Sequence, residues 1–152
     1  LGGGVRAKVG YSQEIPFPSA MFDVVIMSEV LEHLSEDTIS LTINEVARVL
    51  KTDGRFIGTV PADEDLLGGQ VACPCCGNVF HRWGHIQSFS LDKIKEKIFQ
   101  GFSSVKVSRH YFGCFSNLNW KGRFDYIVRS LLMRVGFKGS SDTFFFIAKK
   151  TQ

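Results

Sequence analysis

A change of hydrophobic period between residues 22 and 60 constrains the fold of this chain more than any other feature. Phe22-Asp23-Val24-Val25-Ile26-Met27 is a continuous apolar run with β-branched residues and one acid near its start. Such a run fits a strand buried on both faces, as in a parallel sheet. Apolar residues then move to helical spacing, with Ile39, Ile43, Val46, Ala47 and Leu50 on one stripe. Ser35 is the expected N-cap, and Glu36 and Asp37 fall in the first turn, where the helix dipole favours negative charge. Gly54 is the expected stop, being able to take the left-handed conformation after a helix. Phe56-Ile57-Gly58-Thr59-Val60 forms a second strand, closed by Pro61. Strand, helix and strand make a βαβ unit, whose crossover is almost always right-handed.

The flanks extend this unit. Val5 to Gly10 is predicted as a short strand, and Pro16 and Pro18 mark a loop. Residues 62–89 break the pattern. Ser90 is expected to cap a helix carrying Leu91, Ile94 and Ile98, with Gly101 at its end. Val105 to Phe112 is predicted as a strand. Phe124, Ile127, Val128, Leu131, Leu132 and Val135 line one face of a further helix, expected to pack with Arg123, Arg129 and Arg134 along a solvated edge. Thr143 to Lys149 closes the chain as a strand whose Phe144-Phe145-Phe146-Ile147 belongs to the core. The expectation is a single α/β layered domain with a mixed sheet.

At 152 residues the chain suits one domain with a real core and not two. The +3 formal charge is spread among acids, which argues against a nucleic-acid partner. No apolar run approaches the roughly 20 residues that span a bilayer. Leu1-Gly2-Gly3-Gly4 lacks the features of a signal peptide and begins without Met, so an internal start is expected.

Residues 62–89 hold a metal-like cluster. Cys73-Pro74-Cys75-Cys76-Gly77 has the shape of a zinc knuckle, a tight turn aiming two thiolates at one ion, with a glycine letting backbone amides face the sulfurs. His81 and His85 complete the spacing C-x2-C-x4-H-x3-H. Cys73, Cys76, His81 and His85 are therefore the expected tetrahedral zinc ligands, with Cys75 in reserve. A closed site of this kind is structural, and its binding contributes on the order of 10 kcal/mol to ordering the loop. Arg82 and Trp83 are expected to cover it. Crowded cysteines beside histidines also point to a reducing, cytoplasmic setting. His110 and Cys114 belong to no constellation and are read as structural.

Several segments together resemble the class I S-adenosylmethionine-dependent methyltransferases that act on small molecules. Gln13-Glu14-Ile15-Pro16-Phe17-Pro18 before Phe22-Asp23-Val24-Val25 is similar to the loop entering that family's fourth strand. Glu29-Val30-Leu31-Glu32-His33-Leu34 is similar to the stretch after it. Residues 45–56 resemble the helix, glycine turn and fifth strand, and the last strands resemble the antiparallel sixth and seventh.

The resemblance implies a Rossmann-like sheet over residues 1–152, lacking its first strands and carrying residues 62–89 as a zinc-knuckle insertion after the fifth strand, where it would form part of a lid or substrate wall. It implies a cleft at the carboxyl ends of the strands. Tyr11, Ser12, Gln13, Ser28 and Glu29 would contact S-adenosylmethionine, and His33 would accept a proton. Tyr11 stands where the family usually has an acid that accepts from the adenine amine. The family's glycine-rich loop and ribose-holding acid would lie upstream of Leu1. The bland alternatives are a helix-terminal role for His33, a turn cap for Ser28 and dipole-favoured acids for Glu29 and Glu32, the last being the preferred reading of Glu32. The implied activity is methyl transfer to an O, N or C atom of a small-molecule substrate; apart from the resemblance, a homodimer is one assembly in which the cleft of this chain could be kept. The alternative is a non-catalytic, zinc-stapled interaction domain.

Overall fold

A computed structural model describes residues 7–111, 119–137, 139 and 142–150. Strand β1 (Phe22–Ser28) leads through a 3-10 turn (Leu31–His33) to helix α1 (Glu36–Val49) and strand β2 (Leu50–Pro61). A small hairpin, β3 (Gln70–Ala72) and β4 (Val79–His81), precedes helix α2 (Leu91–Phe99) and strand β5 (Phe102–His110). Helix α3 (Trp120–Arg134) and strand β6 (Thr143–Lys150) follow. The main sheet has the order β1-β2-β6-β5. β1 and β2 are parallel, and β6 runs antiparallel to both of its neighbours, so the βαβ unit and the mixed sheet are as expected.

The core lies between this sheet and helices α1 and α2. Ile39, Ile43 and Val46 of α1 and Ile94 and Ile98 of α2 are buried against Phe56, Val60, Phe144, Phe146 and Ala148. The Phe56 ring stacks on Phe102 at 5.7 Å and meets Phe146 edge-on at 5.1 Å. Glu36 ties the helices together, bridging Lys93 at 2.8 Å and Lys97 at 2.7 Å. Both predicted N-caps form, with the Ser35 and Ser90 hydroxyls accepting from the amides of Thr38 and Lys93.

Several expectations need correction. Helix α1 stops at Val49, and Leu50 is already extended. The left-handed residue after it is Asp53 (φ 63°), not Gly54. Gly54 answers a different need, because a Cβ there would sit 2.8 Å from the Lys51 carbonyl oxygen. At the end of α2 the Gly101 amide donates to the Ile98 carbonyl, but Gly101 is not left-handed either.

β1 is buried on one face only. Val25 and Met27 pack on the core, whereas Ile26 is 73% exposed and Val24 is also exposed. Among the described residues β1 pairs with β2 alone, and nothing covers its other face. Residues 7–10 form no strand, and the start of that predicted element lies outside the described residues. β5 begins three residues before the expected Val105, while Phe112 and Cys114 lie outside the described residues. Phe144 and Phe146 are core, as read from the sequence. The face of α3 is not packed: Phe124, Ile127, Leu131, Leu132 and Val135 are all exposed.

Candidate functional site

The carboxyl ends of β1 and β2 lie side by side, as parallel pairing requires. The Ser28 hydroxyl ends β1 in a 2.8 Å hydrogen bond with that of Thr59. Glu29 follows in the left-handed conformation (φ 53°), its amide donating to the Thr59 carbonyl at 3.0 Å. A non-glycine residue there costs about 1–3 kcal/mol, and such strain concentrates at ligand sites. The bend throws the chain into the 3-10 turn that carries Glu32 and His33.

Glu32 lies in the first turn of the 3-10 element, and its side chain is completely buried, which a dipole-favoured position alone does not require. Its backbone carbonyl accepts from the amides of Ile86 and Gln87, which ties residues 86–87 to the turn. Neither carboxylate oxygen has a hydrogen-bond partner among the described residues. Desolvation pushes its carboxyl above the usual range.

Three histidines gather around this point. The His33 ring Nδ1 lies 3.2 Å from the Gly84 carbonyl, which can only accept, so Nδ1 carries the proton. His85 Nδ1 lies 2.6 Å from Glu64 Oε2. His33 and His85 meet edge-to-face with centroids 4.8 Å apart, and His81 stacks on His85 at the same separation. His81 Nδ1 accepts from the amides of Trp83 and His85, and its Nε2 lies 3.6 Å from Glu64 Oε1. That last separation is an ion-pair distance and too long for a hydrogen bond.

The cysteine turn takes the predicted local shape. Gly77 is left-handed (φ 73°) and its amide donates to the Cys73 carbonyl at 2.9 Å. The amide of Cys76, and then that of Cys75, donates to the Cys73 sulfur and holds this thiol below its ordinary pKa. The four expected zinc ligands do not converge, however. Groups able to share one ion among the described residues are Glu32, His33, His85 and Glu64, His81, His85, without a cysteine. The cysteine turn is at the tip of the hairpin β3–β4, whereas His81 is the last residue of β4, at the hairpin's base, and His85 follows it. Trp83 is 67% exposed. Arg82 and Trp83 line a cavity of about 480 Å³ with Asp63, Glu64, Asp65 and His81.

The loop carrying Tyr11, Ser12 and Gln13 is pinned along α1. Arg48 donates to the carbonyls of Ile15 and Phe17, and Glu45 accepts from the Ile15 amide. The Ser12 hydroxyl bonds that of Thr42 at 2.9 Å. Tyr11 and Gln13 line a cavity of about 650 Å³, with the Tyr11 side chain exposed. Glu64 is the residue here that sequence reasoning passed over, whereas Glu32 was weighed and given the dipole-favoured reading. Glu64 had a visible signal in the run Asp63-Glu64-Asp65 ahead of the histidines; the burial of Glu32 depends on distant residues 84–87.

Residues 2–58 match a family described as a methyltransferase domain. Over 53 residues, 35% of this chain and 20% of the relative, the sequence is 40% identical to an uncharacterized methyltransferase, YcgJ, of Bacillus subtilis. A structure described as a SAM-dependent methyltransferase of Methanosarcina mazei superposes with a TM-score of 0.59 at 17% identity, covering 95% of this chain and 66% of that one. The [4+2]-cyclase SpnF superposes with a TM-score of 0.58 at 15% identity, covering 95% of this chain and 55% of that one. The chain thus spans a fifth of the curated relative and under two thirds of these structures. With this strand order and this helix placement, the chain has the Rossmann-like α/β fold of the S-adenosylmethionine-dependent methyltransferases.

Proposed function

We propose that this chain carries the acceptor side of an S-adenosylmethionine-dependent methyltransferase acting on a small molecule. The observation that supports this best is the strained Glu29 bend at the carboxyl end of β1, where ligands of parallel sheets sit. It lies inside the segment that matches the methyltransferase family. The SpnF likeness is a reminder that one fold hosts several reactions, so the site and not the fold must carry the assignment.

In this reading Ser28 and Glu29 face the cofactor, and Tyr11, Ser12 and Gln13 line its adenine end. The residues fit in part. The exposed Tyr11 ring offers a stacking face beside a cavity, and Gln13 offers an amide for polar contact. Ser12 is committed to Thr42. The cofactor supplies an activated sulfonium methyl group, so the protein's task is orientation and exclusion of water. With its Nδ1 proton held by Gly84, His33 presents Nε2 as the nitrogen that could take a proton from the acceptor.

The same reading places the protein in the cytoplasm, where free thiols persist. No helix among the described residues is long and apolar enough to cross a membrane. A zinc-stapled interaction domain is the second reading. What favours it is the cysteine turn, whose amides already face the Cys73 sulfur, making Cys73 and Cys76 the sulfur half of a zinc site.

Calorimetric titration of this chain with S-adenosylhomocysteine tests the first reading. Saturable binding at one site, weakened by Tyr11→Ala, supports it. A folded, monodisperse sample that gives no heat removes this chain, taken alone, as a cofactor-binding unit.

A further inference from the structure

We propose that Glu32, His33 and His85 form a three-ligand site for a divalent metal ion of the zinc class, separate from the cysteine turn. One carboxylate oxygen of Glu32 and one ring nitrogen from each histidine lie within 4.8 Å of one another. Zinc holds nitrogen and oxygen ligands at about 2.0–2.2 Å, which sets tetrahedral ligand pairs roughly 3.4 Å apart.

Protonation at the distal nitrogens supports this choice of ligands. His33 Nδ1 donates to the Gly84 carbonyl, and His85 Nδ1 donates to the Glu64 carboxylate. Each histidine is left with a lone pair on Nε2, which is what a metal requires. A carbonyl or carboxylate behind the ring is also the usual outer-shell support of a ligating histidine. Glu64 therefore acts as an orienting group.

The alternative group of Glu64, His81 and His85 fails the same test. His81 Nδ1 accepts from two backbone amides, so its proton sits on Nε2, the nitrogen facing Glu64.

An independent observation comes from Glu32. Its carboxylate is completely buried, has no hydrogen-bond partner among the described residues, and points toward His33, with Oε1 4.0 Å from Nε2. A buried acid without a partner is costly, and a cation among these three groups satisfies it. The His33 side chain is 41% exposed, which gives the ion a way in. Three protein ligands leave a fourth position open, the arrangement of reactive zinc sites and not of closed structural ones. The site sits at the carboxyl end of β1, so an oxygen ligand in that position would stand in the cleft. A His33 that binds metal cannot also take a proton, so metal binding replaces the base role given to it above. The metal site does not depend on methyl transfer being the reaction.

The test is metal titration of the chelator-stripped chain, with Zn2+ followed by calorimetry and Co2+ by absorption. Glu32→Gln and His33→Ala should each weaken one Zn2+ site at least about tenfold, and Glu64→Gln should do so about 10–100-fold. The double substitution Cys73→Ser, Cys76→Ser should keep that site, and its Co2+ form should lack the intense sulfur-to-cobalt absorption. A chain that takes two ions, one lost with the cysteines and one with His33, equally supports the proposal. If Glu32→Gln does not fold, His33→Ala decides, since that side chain is partly in solvent. Unchanged Zn2+ affinity and stoichiometry in folded His33→Ala overturns the proposal. So does a wild-type chain that binds no metal, or one whose only site disappears with the cysteines.

Discussion

Helices α1 and α3 look alike along the sequence, each with apolar residues at helical spacing behind a polar N-cap, yet they end in different surroundings. Ile39, Ile43 and Val46 of α1 are entirely buried. Ile127, Leu131 and Leu132 of α3 face solvent. The connection each helix makes accounts for the difference. α1 joins two parallel strands, so it must cross over the sheet and lie on its face. α3 joins β5 to β6, which are antiparallel neighbours, and such strands need no crossover. Periodicity states which side of a helix is apolar; connectivity decides whether a sheet lies beneath it.

The comparison can be broken most directly in the core. Ile43→Ala should destabilise the chain by about 2–5 kcal/mol in chemical denaturation, because the cavity between α1 and the sheet cannot collapse. A loss below about 1 kcal/mol would mean that α1 is not held as described. Next come the caps. Ser35→Ala removes the hydroxyl that accepts from Thr38 and should cost about 1 kcal/mol of global stability. Asn119 caps α3 in the same way, accepting from the Gly122 amide at 2.9 Å. Asn119→Ala should leave the global midpoint unchanged and speed amide exchange within α3 only, since a poorly packed element opens locally.

The same distinction explains how much of the molecule was legible in its sequence. Ser35, Ser90, the βαβ unit and the Phe144–Phe146 strand follow from local pattern, and these are in place. α1 ends at Val49, with Leu50 already extended into β2, and the left-handed residue expected at Gly54 is Asp53 inside that strand, aspartate being among the few other residues that visit that region. The one-sided burial of β1 was not legible, since an apolar run looks the same whether or not a neighbour covers it. The cysteine turn was visible because its chemistry is local. The partners of His81 and His85 were not, because Glu64 and Glu32 lie 17 and 53 residues from the histidines they approach.

Acid sharpens the comparison by loosening what holds α1 to α2. Hydrogen bonds from Lys93 and then Lys97 hold the Glu36 carboxyl below its ordinary pKa. A carboxyl depressed in the folded state contributes stability above its unfolded pKa and loses it as the pH falls through the folded value. Stability should therefore decline on the acid side, and Glu36→Gln should flatten that part of the profile. The change should be small and should fade at high salt, because Glu36 is half exposed. A Glu36→Gln chain with an unaltered acid limb would show that the bridge contributes nothing.

The smallest effect belongs to α3. Leu131 is 55% exposed, so Leu131→Ala removes little buried area and should change stability by less than about 0.5 kcal/mol. This is the near-silent counterpart of Ile43→Ala, made on the matching stripe of the other helix. A loss above about 1 kcal/mol would require cover over the α3 face in solution, since exposed apolar contacts alone do not supply that much. Repeating the measurement across protein concentration then separates the sources. A loss that grows with concentration places a second copy of the chain on that face, and a constant one places cover from within the same chain.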